Sequence, residues 1–122
     1  MNDSHYLAVY RHVLAPVIEA FEPGLILVSA GFDAHERDPI GGMRVSSLGF
    51  AAIASVIEEA AVEAGAPTVY ALEGGYDLGA LKESVSLVVE VLKGEAFPAI
   101  RSEAFPGMEG ILQAHARMWP LL

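Results

Sequence analysis

Leu25-Ile26-Leu27-Val28-Ser29-Ala30-Gly31-Phe32-Asp33-Ala34-His35 is an apolar run that ends abruptly in a turn of small residues carrying a carboxylate. A short run that is apolar on both faces is the pattern of a buried parallel strand. The change at its end places an acid at the carboxyl rim of an α/β sheet, where such folds hold their ligands. A second unit has the same layout: Thr68-Val69-Tyr70-Ala71-Leu72, followed by Glu73-Gly74-Gly75-Tyr76-Asp77. One strand end presents Asp33 and the other presents Tyr76. A carboxylate and a phenol in those places suit a metal ligand and an oxyanion donor.

Working outward, the segment between the strands predicts a crossover helix. Ser46 or Ser47 can cap it, and Phe50, Ile53, Ile57, Ala60 and Ala61 recur at helical spacing. Gly65 suits the position just past its end, with Pro67 following. Strand, helix, strand is right-handed in nearly all cases, so the two strands should be parallel. If they are neighbours, Asp33 and Tyr76 share one sheet edge. Residues 31–46 form a long loop rich in glycine and charge, a length that is uncommon unless the loop has a job.

Before the first strand, Asp3 or Ser4 can cap a helix whose apolar face would hold Leu7, Tyr10, Leu14, Val17 or Ile18, and Phe21. Pro16 lies inside that pattern and predicts a kink or a break. The strand itself is expected over Leu25 to Ser29. After the second strand, Asp77 caps a third helix running to Lys93, with Gly94 as the stop. Beyond Gly94 the pattern weakens. Ala96-Phe97-Pro98 and Ala104-Phe105-Pro106 look alike but amount to a chance repeat. Met108 to Met118 predicts a short last helix with Ile111, Leu112, His115 and Trp119 facing inward.

With 122 residues the chain is one domain at most. It is 53% hydrophobic, and its mean hydropathy of +0.42 is high for so small a chain. That suits strands covered on both faces, or a piece of a larger core. Sixteen acidic against seven basic residues give a net charge of −9. Without a basic cluster, binding to a nucleic-acid backbone is not expected. The acidity could attract a cationic substrate such as a lysine tail or a polyamine, or be no more than an acidic surface. The absence of cysteine excludes disulfides, thiolate metal sites and cysteine nucleophiles. No apolar run approaches the roughly 20 residues needed to span a bilayer, and the first residues lack a secretory pattern, so the default location is cytoplasmic.

Ser-Ala-Gly-Phe-Asp-Ala at 29–34, Asp-Pro-Ile-Gly-Gly-Met at 38–43 and Leu-Glu-Gly-Gly-Tyr-Asp-Leu at 72–78 resemble the zinc-dependent histone deacetylase family. The branch they resemble is the class II-like and bacterial one, with the acetoin-utilization and acetylpolyamine deacetylases. The likeness covers residues 5–94, with 95–122 as a loosely fitting tail. It implies an α/β fold of the arginase–deacetylase type, a parallel sheet with helices on both faces in an αβα sandwich. It implies one zinc, for which Asp33 matches the second aspartate ligand. Tyr76 matches the tyrosine that hydrogen-bonds the acetyl carbonyl. Gly74 and Gly75 match glycines of the acyl-lysine channel, Ile40 an apolar residue at its mouth, and Phe32 belongs to the same channel. The implied reaction is hydrolysis of acetyl-lysine or an acetylated polyamine.

The family's other two ligands come from an Asp-x-His motif on an earlier strand, and its paired histidines lie earlier still. Neither has a counterpart here, and no His-His pair occurs. The whole chain, 1–122, is therefore expected to be a C-terminal segment of the catalytic domain, inactive by itself, that pairs with the missing N-terminal half or self-associates. The alternative is a non-catalytic remnant or an oligomerising interaction module. A nucleotide-binding domain is disfavoured, since neither Gly41-Gly42 nor Gly74-Gly75 has phosphate-loop spacing.

Other residues have simpler readings. Asp33-Ala34-His35 spells Asp-x-His, but Asp33 is already matched to the other ligand and His35 falls where the family varies. His5 and His12 lie seven apart on a helical surface, and His115 reads as a packed residue. Asp38-Pro39 reads first as a turn. Glu73 is expected near the site and buried, either behind the ligands or satisfied by backbone amides.

Overall fold

The structure is a computed structural model that describes residues 1–97 and 99–119. Pro98, part of the Ala96-Phe97-Pro98 repeat, and the last three residues of the tail lie outside the described residues.

The first helical region is three pieces in line: α1 (Asp3–Val9), a π-helical turn (Tyr10–Leu14) and α2 (Ala15–Phe21). The reason is Pro16. It has no N–H to give the carbonyl four residues back, and its ring crowds that carbonyl. The chain widens one turn just before it, and the Ala15 N–H reaches back five residues to the Tyr10 carbonyl. The helix thus continues past the proline with a local π turn. The wide turn shifts the register of everything beyond it. The buried residues are Leu7, Ala8, Val13 and Ile18. Phe21, expected on the inner face, is exposed and meets Trp119 edge-on at 6.1 Å.

β1 (Ile26–Ala30) begins one residue later than Leu25, because the Ile26 N–H is the first to pair, with the Pro67 carbonyl. β2 (Thr68–Leu72) has the expected bounds. The two are parallel, in register from Ile26 opposite Thr68 to Ala30 opposite Leu72. The crossover helix α3 (Ser47–Ala64) is capped by the Ser46 hydroxyl, which accepts from the Gly49 N–H at 3.0 Å, and it ends at Gly65 in the left-handed region. Its five expected core residues are all buried. α4 (Leu78–Leu92) starts on Asp77, whose carboxylate accepts from Ala80 N–H at 2.7 Å. α5 (Met108–Ala116) closes the described chain.

The first cap differs from expectation in an informative way. Asn2 caps α1 by accepting from His5 N–H. Asp3 points away from its own helix and accepts from Ser46 N–H at 2.7 Å and Ser46 Oγ at 2.6 Å. A carboxylate of α1 therefore orders the residue that caps α3, placing charge where the α3 dipole favours it.

The α/β class and the parallel pair are as expected, and within this chain the helices gather on one side. Val28, Ala30 and Tyr70 pack on Phe50, Ile53, Ile57 and Val88 of the core. On the opposite face Leu27 and Val69 stay exposed, Leu27 at 72%, while Leu72, on the helix side at the end of β2, is exposed beyond the core. Among the described residues no helix is long and apolar enough to cross a membrane.

Candidate active site

The parallel ladder does not stop with the strands. Glu73 N–H donates to the Ala30 carbonyl at 3.0 Å, and Phe32 N–H donates to the Gly74 carbonyl at 2.8 Å. These two bonds carry the pairing into both loops. They set Asp33, the next residue on one side, beside Gly74 and Gly75 on the other.

Asp33 is exposed at the rim, and its carboxylate lies on the Gly74 backbone. A Cβ on Gly74 would stand 2.8 Å from Asp33 Oδ2, so any side chain there would push the carboxylate off the Gly74 backbone. Gly75 has φ of 131°, a conformation that side chains disfavour, and a Cβ there would press on Phe32 at 3.1 Å. Phe32 itself is buried, with its ring 4.9 Å from that of Phe50. Tyr76 and Ile40 stand at the surface, 58% and 73% exposed. Asp33, Gly74, Gly75 and Tyr76 thus share one sheet edge, Ile40 lies on the loop above it, and Phe32 anchors the first strand end in the core.

Loop 31–46 is held by three devices. It folds back on itself through Val45 N–H to the Ala34 carbonyl and Glu36 N–H to the Val45 carbonyl. Gly41 packs directly on the Asp33 carbonyl, where a Cβ would overlap the oxygen. Asp38 supplies the third. It is buried, and its Oδ1 accepts from Ile40 N–H and Gly41 N–H, both at 2.8 Å. Its Oδ2 accepts from Tyr76 N–H, also at 2.8 Å. The turn expected at Asp38-Pro39 is present. What the sequence reading missed is the bond across to Tyr76, for which local spacing carries no signal.

Burial pushes the Asp38 carboxyl up, but the N–H donors of Gly41, Tyr76 and Ile40, with His35 nearby, outweigh it and hold it below its ordinary value. A carboxyl lowered by folding adds stability that is fully present above the unfolded value of 3.8 and is lost as pH falls through the lower folded value. Protection of the Ile40, Gly41 and Tyr76 amides from hydrogen exchange should therefore hold at neutral pH and fail first on acidification below about pH 4. An acid titration followed by exchange-detected NMR checks this. Loss of protection on raising the pH from neutral would contradict it.

His35 is buried with both ring nitrogens engaged. Arg37 N–H donates to Nδ1 at 3.0 Å, so the neutral ring carries its proton on Nε2, which faces Ser47 Oγ at 3.0 Å. The ring stacks on Phe50. It ties the loop to α3 and is not free to ligate. Ser47 Oγ in turn donates to Glu83, which pairs with Arg37 at 2.8 Å. His5 sits against the Phe105 ring and His12 is exposed. His115, expected to face inward, is exposed on the outer side of α5. Glu73, expected to be buried, is exposed, because its position in the ladder turns it to the uncovered face. Tyr6, on α1, has its phenol pKa raised by burial and by the negative charge of Asp33. Among the described residues no group of three or more histidine, aspartate or glutamate side chains could hold a metal ion.

The profile of the histone deacetylase domain matches residues 1–92. The chain belongs to the histone deacetylase family. It is 37% identical to human Polyamine deacetylase HDAC10 over 123 residues, which is 98% of this chain and 18% of that protein. It is 41% identical to Histone deacetylase 18 of Arabidopsis thaliana over 105 residues, covering 86% of this chain and 15% of the relative. In three dimensions it is similar to the crystal structure of the HDA15 HD domain, with a TM-score of 0.81 and 32% identity over 98% of this chain. The chain spans less than a fifth of these two curated relatives and 32% of the HDA15 domain chain. The fold is accordingly part of the arginase–deacetylase architecture, and the strand-end loops described above lie within the matched deacetylase domain.

Proposed function

We propose that this chain supplies one wall of a zinc-dependent amidohydrolase site that removes acetyl groups from acetyl-lysine or another acetylated amine. The observation that supports the reading best is the extension of the parallel ladder into the two loops, which sets the Asp33 carboxylate on the Gly74 backbone, two residues before Tyr76 in the chain.

Asp33 is an exposed hard-oxygen donor and fits zinc as one ligand of a larger set; the other donors would come from outside the described residues. Bound zinc supplies Lewis acidity and a water of lowered pKa. The chain's own residues do the rest of the work on this side. Gly74 and Gly75 leave room for a flat amide against the backbone. The Tyr76 phenol donates a hydrogen bond to the acetyl oxygen as negative charge grows there. Ile40 offers an apolar rim to an alkyl chain. The general base and its partner histidine belong to the complementary half of the site. We assign the reaction to the cytoplasm, without nucleic acid or membrane as partner.

The test is an acetyl-lysine fluorogenic assay under zinc titration. It is run on the chain alone and on the chain mixed with a polypeptide carrying the paired histidines and the Asp-x-His motif. Activity is expected in the mixture only. A folded, zinc-loaded mixture that stays inactive would sink the reading. A second reading, a non-catalytic module that self-associates, is supported by the uncovered sheet face bearing Leu27 and Val69. Sedimentation showing a monomer at high concentration would rule it out.

A further inference from the structure

We propose that Asp38 is the positioning residue of the site, holding Tyr76 in place through one carboxylate oxygen while the other shapes the loop around Asp33. The inference rests on the deacetylase reading for its catalytic consequence and on geometry alone for the tie itself.

The two oxygens have separate tasks. Oδ1 takes both loop amides, Ile40 N–H and Gly41 N–H. Those bonds close the turn that lays Gly41 on the Asp33 carbonyl. Among the described residues Oδ2 takes only Tyr76 N–H, thirty-eight residues further on. One buried side chain therefore fixes the backbone under the phenol and the backbone around the metal-binding carboxylate relative to each other. Tyr76 otherwise follows two glycines, one of them at positive φ, and precedes the cap of α4. A tyrosine on so pliable a stretch needs an anchor if its hydroxyl is to meet a reacting oxygen repeatedly. Asp38 does not touch substrate in this scheme. It acts through Tyr76.

The division of labour makes the idea separable by one substitution. In Asp38→Asn, Oδ1 can still accept from Ile40 and Gly41. The amide nitrogen replaces Oδ2 and puts a donor against the Tyr76 N–H. Flipping the amide would restore one bond and break two, so the unflipped form prevails. In Asp38→Ala all three bonds go.

The experiment is amide hydrogen exchange on the full chain and its two variants, with the Val28 and Tyr70 amides of the sheet as an internal check on folding. For Asp38→Asn, exchange at Tyr76 should rise about tenfold, the scale of one lost hydrogen bond, while Ile40 and Gly41 change little. For Asp38→Ala all three amides should open. Unchanged protection of Tyr76 in Asp38→Asn, or equal loss at all three amides, overturns the proposal. If Asp38→Asn unfolds the sheet amides, the selective role is likewise overturned. Where the complemented enzyme is active, Asp38→Asn should lower kcat with KM kept, as loss of transition-state positioning does. An Asp38→Asn enzyme that frees the Tyr76 amide yet turns over normally also overturns it. Absence of activity in the unsubstituted mixture counts against the deacetylase reading alone, and the exchange data still decide the tie.

Discussion

Replacing Tyr76 with phenylalanine should cut turnover of the complemented enzyme by about 100- to 1000-fold, with KM almost unchanged. The substitution removes a single oxygen from an exposed side chain that caps nothing and fills no part of the core. Stability should therefore hold, and the loss should appear in kcat. The reason is differential binding: a phenol that meets a neutral carbonyl weakly in the ground state meets a developing oxyanion strongly. Steady-state kinetics on an acetyl-lysine substrate, beside a thermal melt, separates the two effects. Retention of kcat within a factor of three would remove Tyr76 from the mechanism.

The second large effect is expected at Gly41. A methyl group there would overlap the carbonyl oxygen of Asp33 and crowd its carbon, which is backbone and has no rotamer to yield. The Gly41→Ala loop must move, and Asp33 moves with it. Displacing a reacting group by about an ångström costs on the order of 100-fold in rate. If Asp33 ligates zinc as proposed, zinc affinity should weaken in parallel. Isothermal titration with zinc, together with kcat/KM, measures both. Gly42→Ala is the control: its Cβ would meet nothing within 4 Å, so it should behave as the unsubstituted chain. If the two variants behave alike, the close approach at Gly41 has no functional weight.

What could be read in the sequence followed the range of the interactions involved. The caps at Ser46 and Asp77 and the stop at Gly65 are contacts within a few residues, and each lies where residue type alone places it. The two strands are likewise legible, because β-branched and aliphatic runs bounded by glycine and proline leave little choice. Asp3 shows where such reading ends. Its type announces a cap, but the helix it helps cap is α3, across a fold the local pattern does not contain. Asp38 is the same case at the site: the Asp-Pro turn was visible, whereas its bond to Tyr76 joins segments that only the folded sheet brings together. The π turn was half legible. Pro16 announced a disturbance but not its form, and the form decides that Val13 is buried and Phe21 is not. Glu73 and His115 failed for a related reason: which face of a ladder or a helix is covered depends on what packs there.

The pairing of β1 with β2 joins residues more than forty positions apart. Closing so long a segment costs chain entropy before any contact rewards it, and non-local pairing of this kind slows folding. Local turns and caps of α3 have no such cost and can be in place earlier. The rim that carries Asp33 and Tyr76 is therefore expected to close only after the crossover between the strands has formed, so that these two side chains meet late in folding.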